Sequence, residues 1–209
     1  MKINPDNLNE LAWDKMQGLL PCMVQDFESG RLLMQGYMNE EALQSTLSSG
    51  NVTFFSRSKQ RLWTKGESSG HTLKLVSLTA DCDNDAILAL AHPQGPTCHL
   101  GNECCWSPEE QPVASELIEL ERTIAARKAA LAAGDAGSSY TAKLLSDGIR
   151  RCAQKVGEEG VEVALAAVAQ DDDALLNESA DLLYHLLVVL QARDLSLTDV
   201  VNTLRSRRK

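Results

Sequence analysis

Two kinds of hydrophobic patterning divide the chain near residue 107. Before that point, short apolar runs alternate with turn residues. "PCMVQDF" and "LLMQGYM" flank the turn "ESGR" and predict a hairpin. "NVTFFSR", "RLWTKG", "TLKLVSL" and "AILALAH" predict further strands. One helix interrupts them. Asn39 can cap "EEALQSTLSS", and Gly50 stands just past its end, where a left-handed residue closes a helix.

After "SPEEQPV", which reads as a linker, the period becomes helical. Val113, Leu117, Leu120, Ile124 and Leu131 form one apolar stripe. "AGDAGSS" breaks the chain. A long helix, kinked at its glycines, is expected from Tyr140 to about Gln170. "DDD" separates it from "ALLNESADLLYHLLVVLQA", which is apolar almost all round and therefore expected to be buried. "LTDVVNTLRSRR" predicts a last helix whose basic end suits the helix dipole. The expected architecture is two domains: a β-rich α+β domain over 1–107 and an all-α domain over 108–209.

Composition narrows the class. At 209 residues the chain suits one large domain or two small ones. A net charge of −9 argues against general nucleic-acid binding, which rests on basic phosphate contacts. Anionic small molecules remain possible through local basic pockets or metal ions. The first residues lack the apolar stretch of a signal peptide. The longest apolar run, "ADLLYHLLVVL", is too short for a membrane span and carries Asp181 and His185. A cytoplasmic protein without membrane or nucleic-acid partners is expected. In a reducing compartment the six cysteines then point to metal, catalysis or burial rather than disulfides.

"TADCDNDAIL" concentrates the chemistry. In an extended strand Asp81, Asp83 and Asp85 would share one face and Cys82 the other. Three converging carboxylates suit a hard cation such as Mg²⁺, although a solvated acidic turn has the same sequence. An EF-hand is excluded, because the required Gly and Glu are replaced by Ala86 and His92. Cys98 and Cys105 stand seven positions apart, too far for the close pair of a structural zinc site. Cys82 could complete three ligands and leave a fourth position for water, as in catalytic zinc. Zinc deaminases use that chemistry on purine and pyrimidine rings; three buried thiols are the plainer alternative. His71 and His99 could move protons beside such a metal. Arg57, Lys59, Arg61 and Lys65 suggest an anion pocket, or simply a solvated strand face.

The helical half carries a second acidic constellation. Glu158, Glu159 and Glu162 fall within one wedge of a helix, with Lys155 nearby. Glu178, Asp181 and His185 share a narrow wedge of the next. Ion pairs could explain buried acids, but five acids outnumber the neighbouring bases, so an Mg²⁺ between packed helices balances better. Such an ion could hold a polyphosphate and orient an attacking water. Arg127, Lys128, Lys143, Arg150, Arg151 and Lys155 are candidates for the basic side.

These residues carry a resemblance. "VQD…GYMNEEAL", "SRSKQRLWTKGESSGH", "DCDNDAIL" and "PTCHLGNECCW" together resemble the phosphoribosyl-AMP cyclohydrolases. "SYTAKLL", "KVGEEGVE" and "ESADLLYHLLVVL" resemble the phosphoribosyl-ATP pyrophosphatases, relatives of the helical MazG-type pyrophosphohydrolases. The order is similar to the bifunctional family of histidine biosynthesis that fuses the two. The resemblance implies pyrophosphate release in the C-terminal domain, with Mg²⁺ on Glu159, Glu162, Glu178 and Asp181 and with Glu158 close by. It implies hydrolytic opening of the adenine ring between N1 and C6 in the N-terminal domain. There Cys82, Cys98 and Cys105 would bind Zn²⁺ and Asp81, Asp83 and Asp85 Mg²⁺. The zinc ligands would come from both subunits of a homodimer. Zinc-activated water would attack C6, His99 and His71 would shuttle protons, and magnesium and the basic loop around Arg57 would position the phosphates. Lys59 stands where Arg is often found, and Cys104 and Trp106 where Ser and Phe are expected. Rival readings are a purine deaminase-like hydrolase joined to a housecleaning pyrophosphohydrolase, and a metal-binding scaffold without turnover.

Overall fold

A computed structural model describes residues 1–106, 112–135 and 139–208. The chain divides into two units, Met1–Ser115 and Glu116–Lys209. The boundary expected at residues 107 and 108 lies outside the described residues, as do most of "SPEEQPV" and the middle of "AGDAGSS".

The first unit is built on strands β1 (Leu20–Asp26), β2 (Leu32–Met38), β3 (Thr53–Ser56), β4 (Arg61–Thr64), β5 (Leu73–Ala80) and β6 (Ile87–Pro93), with helix α1 (Glu40–Ser49) after β2. β1 and β2 form the expected antiparallel hairpin, and β6 returns parallel to β1, giving the order β2-β1-β6-β5. β3 and β4 form a separate antiparallel ribbon. Burial alternates along β1, so Leu20, Cys22 and Val24 face the core while Pro21, Met23 and Gln25 face the other way. Leu43 of α1 and Phe54 of β3 pack into the same core. The α1 caps follow their local chemistry: Asn39 Oδ1 accepts from Ala42 N at 2.9 Å, and Gly50 takes the left-handed φ of 68°.

The second unit consists of α2 (Ser115–Ala132), α3 (Tyr140–Ser146), α4 (Ile149–Ala169), α5 (Asp172–Ala192) and α6 (Leu197–Arg207). Its core gathers Ile124, Leu144, Cys152, Leu187 and Val188. Two polar ties close it at the α6 end. Lys128 Nζ donates to Gln191 O at 2.5 Å, and Glu121 Oε1 accepts from Leu197 N at 2.6 Å. The second is an N-terminal cap supplied by another helix.

Three expectations need correction here. The helix expected from Tyr140 is two helices, divided at Gly148 with φ 88°, where a side chain would be strained. Gly157 and Gly160 lie inside α4 without ending it. Val113 does not join the α2 stripe; it is exposed in a turn, and Pro112 O accepts from both Ser115 N (2.8 Å) and Ser115 Oγ (2.7 Å) to start the helix two residues later. Finally, α5 is not buried all round: Leu176 and Leu183 are 67% and 45% exposed. Among the described residues, no helix is long and apolar enough to cross a membrane.

Candidate active sites

A cleft of about 570 Å³ opens in the first unit, lined by Trp63, Lys65, His71, Cys98, His99 and Cys105 among others. Local hydrogen bonds explain how residues so far apart in sequence meet. Lys65 N donates to Val52 O at 3.0 Å, and Lys65 Nζ to His71 O at 2.9 Å. Gly66 and Gly95 both have positive φ, and a Cβ on either would collide with His71. The bare backbone lets the His71 segment lie flat against both turns. The Cys98 loop closes on itself through Cys98 N to Asn102 O at 2.9 Å, while Cys105 N is tied to Leu33 O of β2 at 2.9 Å. Cys98 and Cys105, seven positions apart, therefore face one cleft.

The electrostatics of the cleft follow from partial burial. Burial pushes the Cys105 thiol pKa up, with the charge of Cys98 and a hydrogen bond to it adding to the rise. Burial pulls the Lys65 ammonium down, opposed by both thiols. His99 is exposed, its Nδ1 3.9 Å from Cys98 Sγ. The adjacent cysteines diverge. Cys104 is buried with its Sγ donating to Trp106 O at 3.4 Å, and Cys105 lines the cleft.

The basic segment does not act as one patch. The Arg57 guanidinium lies 3.9 Å from the centroid of the Tyr37 ring, a cation–π contact. Arg61 is bound at 2.5 Å by Glu67, whose carboxyl it holds below the usual range. Lys59 is exposed, and Lys65 alone of the four lines the cleft.

Asp81, Asp83 and Asp85 do converge, with one carboxylate oxygen from each within 4.8 Å of the others. They do so in the turn between β5 and β6, not along a strand, which corrects the alternation argument. Asp81 Oδ1 accepts from Asp85 N at 3.0 Å and Ala86 N at 3.2 Å, and Asn84 is left-handed with φ 61°. Side-chain bonds to the backbone thus replace the ladder. Cys82 is exposed on this turn, with its Sγ 4.0 Å from Asp83 Oδ1, and it does not line the cleft of Cys98 and Cys105. The sequence reading missed the local cation: Lys15 contacts both Asp83 and Asp85, and its pKa is raised by those hydrogen bonds.

In the second unit Glu159, Glu178 and Asp181 bring carboxylate oxygens within 4.8 Å of one another across the α4–α5 interface. Glu159 is buried at 4% exposure. Lys155 pairs with it one turn earlier, and that hydrogen bond holds the Glu159 pKa down. Glu162 is exposed and its pKa is raised, first through its hydrogen bond to Glu159 and then by the charges of Glu159 and Glu178. Glu158 turns instead to Lys155 at 3.0 Å and Gln154 at 2.8 Å. Lys143, Arg127 and Arg150 are exposed, Arg151 reaches Glu158 at 3.4 Å, and Lys128 is committed to the α5 end. His185, which the sequence grouped with Glu178 and Asp181 without a role, lies 3.6 Å from Glu159.

The donor sets fit two kinds of cation. Paired thiols beside imidazoles suit a soft ion such as Zn²⁺, whereas clustered carboxylates suit a hard one such as Mg²⁺.

Residues 34–107 match the family described as phosphoribosyl-AMP cyclohydrolase, and residues 117–208 match phosphoribosyl-ATP pyrophosphohydrolase. Whole-chain relatives share this arrangement. The histidine biosynthesis bifunctional protein HisIE of Vibrio vulnificus (strain YJ016) is 55% identical over 215 residues, covering 100% of both chains. Those of Yersinia pestis (54% identical, 98% of each chain) and Salmonella typhimurium strain LT2 (56%, 95% of each) are similar along nearly their whole length.

Proposed function

The chain belongs to the bifunctional hydrolases of histidine biosynthesis that join an N-terminal phosphoribosyl-AMP cyclohydrolase domain to a C-terminal phosphoribosyl-ATP pyrophosphohydrolase domain, and from that premise we propose how its residues divide the two reactions. It is an enzyme acting on small-molecule nucleotides. The C-terminal domain converts phosphoribosyl-ATP to phosphoribosyl-AMP and pyrophosphate, and the N-terminal domain hydrolyses the adenine ring between N1 and C6.

In our reading, Cys98 and Cys105 supply two ligands of a zinc ion and Cys82 a third. Bound zinc would lower the pKa of a water to roughly 7 and so furnish the nucleophile for C6. His99 and His71 take and return protons at the attacking water and at the departing ring nitrogen. Lys65, with Arg57 and Lys59, holds the substrate phosphate. Asp81, Asp83 and Asp85 would hold Mg²⁺, in competition with Lys15. Cys82 is exposed on a turn outside the cleft, which supports a homodimer in which each subunit lends Cys82 to the other. The partly exposed sheet residues Val76 and Leu88 offer an apolar surface for such pairing.

For the pyrophosphohydrolase we assign Mg²⁺ to Glu159, Glu162, Glu178 and Asp181 in a MazG-like helical site, with Glu158 as an adjoining acid. We assign Glu159 the role of acting on the attacking water. Lys155 and Lys143 would meet phosphate oxygens when the carboxylates hold a cation. The six thiols support a reducing, cytoplasmic setting.

One observation carries this division: the thiol pair and the carboxylate cluster around the buried Glu159 lie in different structural units. The test is a pair of substitutions. Cys105→Ala is expected to abolish ring opening and spare pyrophosphate release, and Glu159→Ala to do the reverse. Loss of both activities from either folded variant would overturn the assignment.

A further inference from the structure

The His185 imidazole sits at the α4–α5 interface, 5% exposed. Its Nε2 lies 3.6 Å from Glu159 Oε1, the same oxygen that Lys155 contacts. Its Nδ1 is buried and has no hydrogen-bond partner among the described residues. Tyr140 and Tyr184 meet the ring edge-on, with centroids 6.2 and 4.9 Å away. An imidazole with its proton on Nε2 has Glu159 as the acceptor beside it.

A packing role alone does not account for this residue. Leucine or phenylalanine would fill the same space without burying a nitrogen that lacks a partner. The sequence around it, "DLLYHLLVVL", is otherwise almost wholly apolar. The polar atoms are retained where they reach one particular carboxylate.

We propose that His185 is a positioning residue for pyrophosphate release: its Nε2–H donates to Glu159 and fixes the carboxylate that, with Glu178 and Asp181, receives the divalent cation. This rests on the reading of that carboxylate group as the metal site. Lys155 holds the same carboxylate through Oε1, and a cation bound by the group would compete with it. His185 would remain as a donor on the protein side, its Nε2 already 3.6 Å from Oε1, and would keep the carboxylate from swinging away. Partners that orient a ligand in this way are worth ~10–100-fold in metal affinity.

The test uses the full chain, with Mn²⁺ titrated calorimetrically in the absence of nucleotide. The site to follow is the one that Glu159→Ala removes. His185→Leu is expected to weaken Mn²⁺ at that site by about 10-fold or more and to lower pyrophosphate release comparably. His185→Gln, whose amide reaches the position of Nε2, is expected to restore both to within about threefold of the parent. Ring opening is expected to stay unchanged in both variants and reports folding of the other domain. Where His185→Leu loses the helical fold, His185→Asn replaces it, since its shorter amide reaches only the Nδ1 position. Unchanged Mn²⁺ affinity in the folded variant, or a Gln variant as impaired as Leu or Asn, overturns the role of His185. Those results leave the metal site standing. If Glu159→Ala removes no Mn²⁺ site and spares pyrophosphate release, the metal-site reading falls and the role of His185 with it.

Discussion

The Lys15 ammonium lies 2.5 Å from the Asp83 carboxylate, 68 positions away in the sequence. It also pairs with Asp85, so one cation from the N-terminal segment offsets part of a three-carboxylate cluster. The Asp83 carboxyl is held below its usual range by that hydrogen bond. A divalent ion held by this triad would therefore compete with Lys15 for its carboxylates.

Replacing the competitor should sharpen the site. Lys15→Met is expected to tighten Mn²⁺ binding at the triad several-fold, by calorimetry, and Asp83→Asn to abolish it. Without divalent ions the Lys15→Met variant should melt earlier than the parent, because like charges are left unopposed. Adding Mg²⁺ should recover the difference, since a ligand that binds only the folded state stabilises it. Unchanged or weaker Mn²⁺ binding in Lys15→Met would refute the competition.

Cys104 and Cys105 are neighbours with opposite surroundings, and their substitutions should separate structure from metal binding. Cys104→Ala is expected to lower stability by about 1 kcal/mol, the ordinary size of a core truncation that removes one atom, while zinc content and ring opening persist. Cys105→Ala should lose zinc, by elemental analysis of dialysed protein, with little change in melting temperature. Zinc loss in the Cys104 variant would show that the buried thiol is the ligand.

A shared site makes a quantitative prediction about mixed dimers. Cys82→Ala and Cys105→Ala should each abolish ring opening. If the thiols meet across a two-fold axis, a heterodimer of the two variants carries one intact site and one doubly substituted site. Random exchange of equal amounts makes half the dimers mixed, so activity should return to about a quarter of the parent level. No recovery after verified subunit exchange would mean that each chain completes its own site.

Legibility in the sequence followed the range of the physics involved. The Asn39 and Gly50 caps, the β1–β2 hairpin and the order of domains rest on local chemistry or short periods, and they were readable. Helical periodicity gathered five acids into two wedges, of which Glu159, Glu178 and Asp181 converge, whereas Glu158 turns to Lys155 and Glu162 lies outside that group, a choice periodicity does not make. Asp81, Asp83 and Asp85 were rightly grouped for the wrong reason: the Asp81 carboxylate bonds backbone N–H groups of a turn, a choice that alternation cannot reveal. Lys15 and the His185–Glu159 contact depend on tertiary proximity, for which one chain carries no pattern. Leu176 and Leu183 show the reverse failure, since hydropathy marks a surface as coverable without saying that this chain covers it.

Gly36 ties the core to the cleft and supports the last prediction. It lies on β2 opposite Cys22 of β1, where an added Cβ would sit 2.6 Å from Phe54 Cε1. Phe54 is 1% exposed and cannot retreat outward. Its ring stacks on Trp63 at 5.7 Å between centroids, and Trp63 lines the cleft that holds Lys65, Cys98 and Cys105. Gly36→Ala must therefore push Phe54 toward Trp63 or bend β2, and overpacking of this kind costs about 1–3 kcal/mol. The displaced Trp63 should raise the KM for ring opening more than it lowers kcat, whereas pyrophosphate release in the other domain should be unaffected. Shortening the obstructing ring supplies the control. Phe54→Leu alone leaves space and should destabilise, but combined with Gly36→Ala it should cost less than the two separate losses added, because each change relieves the other. Strict additivity in denaturant melts would mean that the methyl group is accommodated without touching Phe54, and that the path from β2 through Phe54 to the cleft does not operate.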